Sequence, residues 1–289
     1  MNRNKLRANV LLLTAAALWG ATFVAQRVST DYLSPFAFQA IRCLLSAALL
    51  LPLIPRGGWK NRELWLGGTV CGIAVFLATN LQQYGMAWGT TAGKSGFISA
   101  LYIVLIPLFG ILRGKKPGRL VWFSVPLAVC GLYLLCVNES FSLAPGDALT
   151  LIAAVFCAMH ILSMGRYSPH TDAARLCCVQ FLVSGVLSAI AMAFTGLPTL
   201  RAVADCWLPL GYAVIFSSVI AYVCQAVGQR DTEPTVASLL MSMEAVFACL
   251  SGWLILREQL SLRELLGCAV MFCAVILAQL PDRKGKNKE

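Results

Sequence analysis

Charge is what this chain has least of. Only 12% of its 289 residues are charged, against 58% hydrophobic, and mean hydropathy is +0.74. A soluble domain carries about twice that share of charge. Acidic residues number 13 and histidines two, and no two carboxylates share an apolar stretch. An integral membrane enzyme acting on lipid or isoprenoid phosphate, which needs clustered carboxylates for metal, is therefore disfavoured. The 12 cysteines show no C-x-x-C and no Cys/His ligand spacing, and Cys177 and Cys178 are adjacent. That excludes a zinc site; buried Cys serves as a small apolar filler. Gly93-Lys94-Ser95 looks like the end of a phosphate-binding loop, but such a loop needs glycine five residues earlier, where Trp88 stands. No ATPase motif remains and no cofactor is expected. No loop is long enough for a soluble domain, which removes a receptor or scaffold with a docking module.

What fills the chain is ten apolar stretches, at 8–26, 35–54, 64–84, 91–112, 118–137, 145–164, 174–195, 207–228, 235–256 and 260–280. A membrane span needs about 20 apolar residues. Lipid offers the backbone no hydrogen bonds, so spans of this kind are helices. The expected fold class is all-α integral membrane, with ten transmembrane helices. The first stretch is long enough to span and is read as a helix, not a signal peptide. The net charge of +10 is sorted by loop: 17 Lys and Arg fall on the side of the N-terminus and four on the other. The remaining two, Arg42 and Lys94, fall in spans. Positive loops stay cytoplasmic, so both termini are expected inside, in the cytoplasmic membrane. The basic surface then meets lipid headgroups, not nucleic acid.

The loop at 137–147 divides the spans five and five. Ser95 and Ser99 in span four recur as Ser238 and Ser242 in span nine, 143 residues later; Leu112-Arg113 recurs as Leu256-Arg257, 144 later. These offsets are half the chain length. An odd number of spans per half turns the second half upside down. The chain is thus expected to form two inverted five-helix repeats, 1–139 and 140–289, around a central cavity, a plan that places a solute site near mid-bilayer.

Three segments carry a family resemblance. Leu18-Trp19-Gly20-Ala21-Thr22-Phe23-Val24 opens span one. Thr90-Thr91-Ala92-Gly93-Lys94-Ser95-Gly96-Phe97-Ile98, then Pro107, runs through span four. Ser242-Met243-Glu244-Ala245-Val246-Phe247-Ala248 in span nine is followed by Arg257-Glu258-Gln259-Leu260. Together they resemble the drug/metabolite transporter superfamily, EamA type, over essentially the whole chain. That family usually has proline where Ala245 stands, and Gly114-Lys115-Lys116-Pro117 departs from its usual loop. The resemblance implies a ten-helix transporter with inverted repeats and leaves the substrate open.

A charge at mid-membrane costs about 2.5–3.5 kcal/mol on insertion scales, so intramembrane polar residues are the candidates. Glu244, near the centre of span nine, is either a structural carboxylate or a proton- or cation-coupling one. A helical wheel puts Leu239, Leu240, Met243, Val246 and Phe247 on a broad face expected to meet lipid, with Glu244 at the edge of the small-residue face. Arg42 shares a stripe with Gln39 and Ser46. It pairs with a carboxylate, caps carbonyls, or meets an anionic solute group. Lys94 reads as snorkelling to water, and His160 as a helix contact or a proton relay. Neutral polar stripes run along four spans: Trp19, Thr22 and Gln26; Asn80, Gln83 and Tyr84; Ser95, Ser99 and Tyr102; Ser218, Tyr222, Gln225 and Gln229. Each stripe could be interhelical glue; together, with aromatics interleaved, they suggest a lined path for small organic solutes. Amino acids and amphipathic cations are the solute classes such a lining suits, the cations through ring faces. The expected function is a secondary active transporter, read as an exporter with protons as candidate coupling ion. The alternative is an uncoupled facilitator. Oligomeric state is not legible.

Overall fold

The computed structural model describes residues 3–90, 92–112, 114, 118–136, 145–256 and 261–280. Every regular element among them is helical. In chain order they are α1 (Arg3–Ser29), α2 (Pro35–Leu50), α3 (Arg62–Ala87), α4 (Ala92–Ala100), α5 (Tyr102–Leu112), α6 (Arg119–Cys136), α7 (Pro145–Tyr167), α8 (Ala173–Thr195), α9 (Leu200–Asp205), α10 (Trp207–Tyr212), α11 (Ala221–Gly228), α12 (Pro234–Met241), α13 (Glu244–Leu256) and α14 (Leu262–Gln279). A π-helical stretch, Ala213–Ile220, joins α10 to α11. Among the described residues, nine helical runs are long and apolar enough to cross a membrane, and a shorter apolar one at Arg119–Leu135 marks the remaining stretch. The protein is an all-α, multi-pass integral membrane protein. The Lys115–Pro117 and Arg257–Leu260 segments and the Lys94 side chain lie outside the described residues.

Local chemistry sets the helix starts. Ser34 caps α2 by accepting from the Ala37 N–H, with Pro35 at the first helical position. Asn61 caps α3, Asp172 caps α8, and Ser261 and Glu264 form a capping box on α14. These side chains satisfy amides that the first turn leaves open.

Two spans are broken. Span four stops at Leu101, between α4 and α5; span nine stops at Ser242 and Met243, between α12 and α13. At both places the ladder tightens: the Leu101 N–H donates to the Ile98 carbonyl, and the Met243 N–H to the Leu240 carbonyl. The missing proline at position 245 therefore does not keep span nine straight. Ser238 and Ser242 donate to the carbonyls of Thr235 and Leu239, three residues back, a pairing that competes with the helical ladder and bends it.

The helices pack in a reciprocal pattern. α2 lies on α8, α6 on α14, α3 on α7 and α1 on α11. Small residues make the close crossings. A Cβ on Gly85 of α3 would meet the Gly146 carbonyl oxygen of α7 at 2.9 Å; one on Gly228 of α11 would meet Leu12 of α1 at 2.8 Å. Asn9 of α1 donates to Gln279 of α14 at 2.8 Å, which puts the start of the first helix and the end of the last at one face. One expectation is corrected here. Leu239, Leu240, Met243 and Val246 are buried, not lipid-facing. A single wheel assumes an unbroken helix, whereas α12 is enclosed by α1, α5, α7 and α14.

Candidate functional site

The breaks of the two discontinuous spans meet. Tyr102 opens α5 and Glu244 opens α13, and the Tyr102 hydroxyl donates to Glu244 Oε1 at 3.3 Å. Beside this pair lies a cavity of about 100 Å³, walled by α1, α3, α7, the π stretch and both broken spans. Its lining on α1, α3 and α4 falls in the halves of those spans nearer the α3–α4 loop. Toward the other face, Leu12, Ile106 and Ile161 belong to one buried apolar cluster.

Arg42 reaches the cavity from α2 and is 4% exposed. Its Nε donates to Ser218 Oγ and its Nη2 to Ser217 Oγ, each at 2.8 Å; Nη1 lies 3.5 Å from Gln39 Oε1. So among the described residues the buried cation's partners are two hydroxyls and a side-chain amide oxygen, with no carboxylate or backbone carbonyl. The π stretch supplies both hydroxyls. A π bulge adds one residue per turn, which brings Ser217 and Ser218 together under the guanidinium. The stretch is also braced by the Trp19 indole, which donates to the Ser217 carbonyl at 3.0 Å. Tyr222 sits edge-on to Trp19, with ring centroids 5.1 Å apart, and edge-on to His160 at 5.6 Å. His160 Nε2 is 3.0 Å from Gln180 Oε1 of α8. Among the described residues, neither Arg42 nor Glu244 has an oppositely charged side chain within ion-pair distance.

Of the residues singled out in the sequence, Trp19, Thr22, Arg42, Ser99, Tyr102, His160, Tyr222, Gln225 and Glu244 line this one cavity. Four others lie elsewhere. Asn80 donates to Ser188 of α8, and Gln83 to Ser29 and to the Gln26 carbonyl of α1. Tyr84 packs on Phe36 and Trp88, and Ser95 is buried with no hydrogen-bond partner among the described residues. In their place α3 presents Thr79 and Gln82, each one position earlier; Gln82 donates to Ser99 Oγ at 2.7 Å. One residue is 100° of helix, so a polar stripe misjudged by one position changes wall.

The EamA-like transporter family model matches residues 6–137 and again residues 144–280. The chain belongs to this family. An uncharacterized transporter of Archaeoglobus fulgidus is 30% identical over 277 residues, covering 96% of this chain and 87% of the relative. The threonine/homoserine exporter RhtA of Escherichia coli K12 is 28% identical, with 84% and 88% covered. The inner membrane transporter YedA of the same organism is 26% identical, with 91% and 87% covered. A crystal structure at 19% identity superposes with a TM-score of 0.78, covering 96% of this chain and 97% of the other, and shares the fold. The protein is a transporter and not an enzyme. EamA membership therefore sets aside the membrane-enzyme alternative.

Proposed function

We propose that the cavity is the solute site of a secondary transporter in the cytoplasmic membrane, and that its solute is a small zwitterion of amino-acid size. One observation carries this reading. A buried cation and a buried carboxylate, Arg42 and Glu244, line the same cavity with no oppositely charged partner among the described residues. Unpaired charges in a dry site are expensive, and a solute bearing both a carboxylate and an ammonium offsets both at once. Arg42 takes the carboxylate, since a guanidinium matches it in a planar fork. Glu244 faces the ammonium, and exchange of a proton at this carboxylate is the coupling step. Trp19 and Tyr222 offer ring faces to the cation. The kinship with a threonine/homoserine exporter supports both the solute class and outward direction.

Alternating access follows from two inverted repeats, 1–139 and 140–289. The reciprocal helix pairs support this division. α2–α8 and α6–α14 each pair a span with its counterpart five spans on, and α3–α7 becomes α11–α1 under the same shift. The glycine crossings at Gly85 and Gly228 are 143 residues apart, as are Ser95 and Ser238. Thermal shift on the purified protein tests the solute class, because a ligand of the folded state raises its apparent stability. Amino acids should raise the midpoint; their decarboxylated amines and N-acetyl derivatives should not. A shift from the amines alone would replace the zwitterion with an organic cation and remove Arg42 from the site.

A further inference from the structure

Two glutamines hold equivalent places in the two family matches, and the structure treats them differently. Gln82-Gln83-Tyr84-Gly85 on α3 recurs in outline as Gln225-Ala226-Val227-Gly228 on α11, 143 residues later. The serines of span four recur in span nine at the same offset. Gln82 thus corresponds to Gln225, and Ser99 to Ser242. In the first half the pair is made: Gln82 Nε2 donates to Ser99 Oγ at 2.7 Å and ties α3 to α4. In the second half it is not. Ser242 Oγ donates to the Leu239 carbonyl of its own span at 2.8 Å. Gln225 Oε1 is buried with no hydrogen-bond partner among the described residues. A buried amide left open is costly, and Gln225 is 1% exposed, so its state calls for a cause. Packing shows the same asymmetry: α3 lies against α4, whereas α11 makes little contact with α12.

The asymmetry follows the cavity. The cavity lies on the side of the α3–α4 loop, where the tie is made. On the other side Gly228 packs on Ala8 and Leu12 near the start of α1, and an apolar cluster fills the space. That is the side of the α11–α12 turn, where the tie is unmade.

We propose that the two Gln–Ser pairs are made in alternation: Gln82–Ser99 while the cavity is reached from the α3–α4 side, Gln225–Ser242 once access passes to the other face. This inference rests on the proposed alternation of two inverted repeats. A serine oxygen accepts as well as donates, so Ser242 keeps its bond to the Leu239 carbonyl while it accepts from Gln225 Nε2. One tie forms as its counterpart breaks, and the number of hydrogen bonds is conserved. That keeps the two states close in free energy, as a population shift requires. Gln225 is therefore a positioning residue of the transport cycle and not a ligand of the solute.

The test uses the full-length chain in sealed membrane vesicles of both orientations, with every cysteine except Cys157 replaced. Cys157 lines the cavity and serves as reporter. A membrane-impermeant methanethiosulfonate reagent labels it, and the measured quantity is the labelling rate from the α3–α4 face divided by that from the other face. Gln225→Leu should raise this ratio about fivefold and Gln82→Leu should lower it about fivefold, the shift that one net hydrogen bond makes. Ser242→Ala should match the first and Ser99→Ala the second; each removes one oxygen and keeps the comparison if a leucine variant does not fold. The double variant Gln82→Leu/Gln225→Leu should return the ratio to that of the unsubstituted protein. Lost packing or general distortion does not drive equivalent substitutions in opposite directions. Labelling from both faces, with shifts of one sign or none, overturns the exchange and leaves alternating access intact. Labelling from one face alone in every variant removes alternating access, and the exchange with it.

Discussion

Alanine at position 20 separates packing from propensity. A Cβ there would sit 2.6 Å from the Ala248 nitrogen, 2.7 Å from the Glu244 carbonyl oxygen and 2.7 Å from Phe247 Cβ. Carbon atoms rest about 3.5–4.0 Å apart, so α1 and α13 must part by about 1 Å. Overpacking of this kind costs about 1–3 kcal/mol, and the helix-propensity gain of about 1 kcal/mol offsets only part of it. Gly96→Ala collects the same gain with no clash. The two substitutions are chemically identical, so their difference isolates the crossing: about 1–3 kcal/mol, or roughly 5 °C in midpoint if soluble-domain scaling holds. Thermal unfolding of the detergent-solubilised variants, followed by tryptophan fluorescence, reads it. Gly20→Ala should melt lower than the unsubstituted protein and Gly96→Ala at or above it. Equal midpoints would refute the close α1–α13 crossing, and with it the placement of Glu244 at the cavity wall.

Glu244→Gln keeps the side-chain shape and a hydrogen-bonding group for Tyr102, so the fold should persist while pH-dependent transport disappears; an unchanged pH profile of flux would make the carboxylate structural. Arg42→Lys retains charge but loses the fork that spans Ser217 and Ser218, and solute affinity measured by calorimetry should fall about tenfold or more. An affinity like that of the unsubstituted protein would place the carboxylate elsewhere. Trp19→Phe keeps the ring but removes the donor to the Ser217 carbonyl, and should cost about 1 kcal/mol of stability; no change would mean that the π stretch does not need this brace. Cysteine labelling from either side should find both tails cytoplasmic, as the 17-to-4 charge bias and the Asn9–Gln279 contact imply; tails on opposite faces would end the ten-span topology.

Hydropathy alone made the spans legible, because the length that crosses a bilayer is a property of composition. Three of the polar stripes share one cavity: Trp19 and Thr22, Ser99 and Tyr102, and Tyr222 and Gln225 all line it. The stripe of α3 did not, because the same residue types serve two purposes. Asn80 and Gln83 tie α3 to α8 and α1, while Thr79 and Gln82 meet the cavity. Polarity cannot tell a tie from a lining; only the neighbouring helix can. The broken spans were equally hidden. In span nine the break goes with back-bonding by Ser238 and Ser242, where the familiar signal, a proline at 245, is absent. The π stretch has no sequence signal of its own, and Ser217, which it turns under Arg42, was missed for that reason.

Flux of a labelled amino acid into proteoliposomes tests the central claim most directly, with threonine as the first solute because of the exporter relative. Protein reconstituted intact should give saturable flux above that of empty vesicles, blocked by unlabelled amino acids and untouched by their N-acetyl derivatives. Arg42→Gln should abolish it, and Glu244→Gln should abolish it or uncouple it from the proton gradient. Flux unaltered in both variants, or no flux for any amino acid alongside robust flux of a simple organic cation, would contradict a zwitterion site between Arg42 and Glu244.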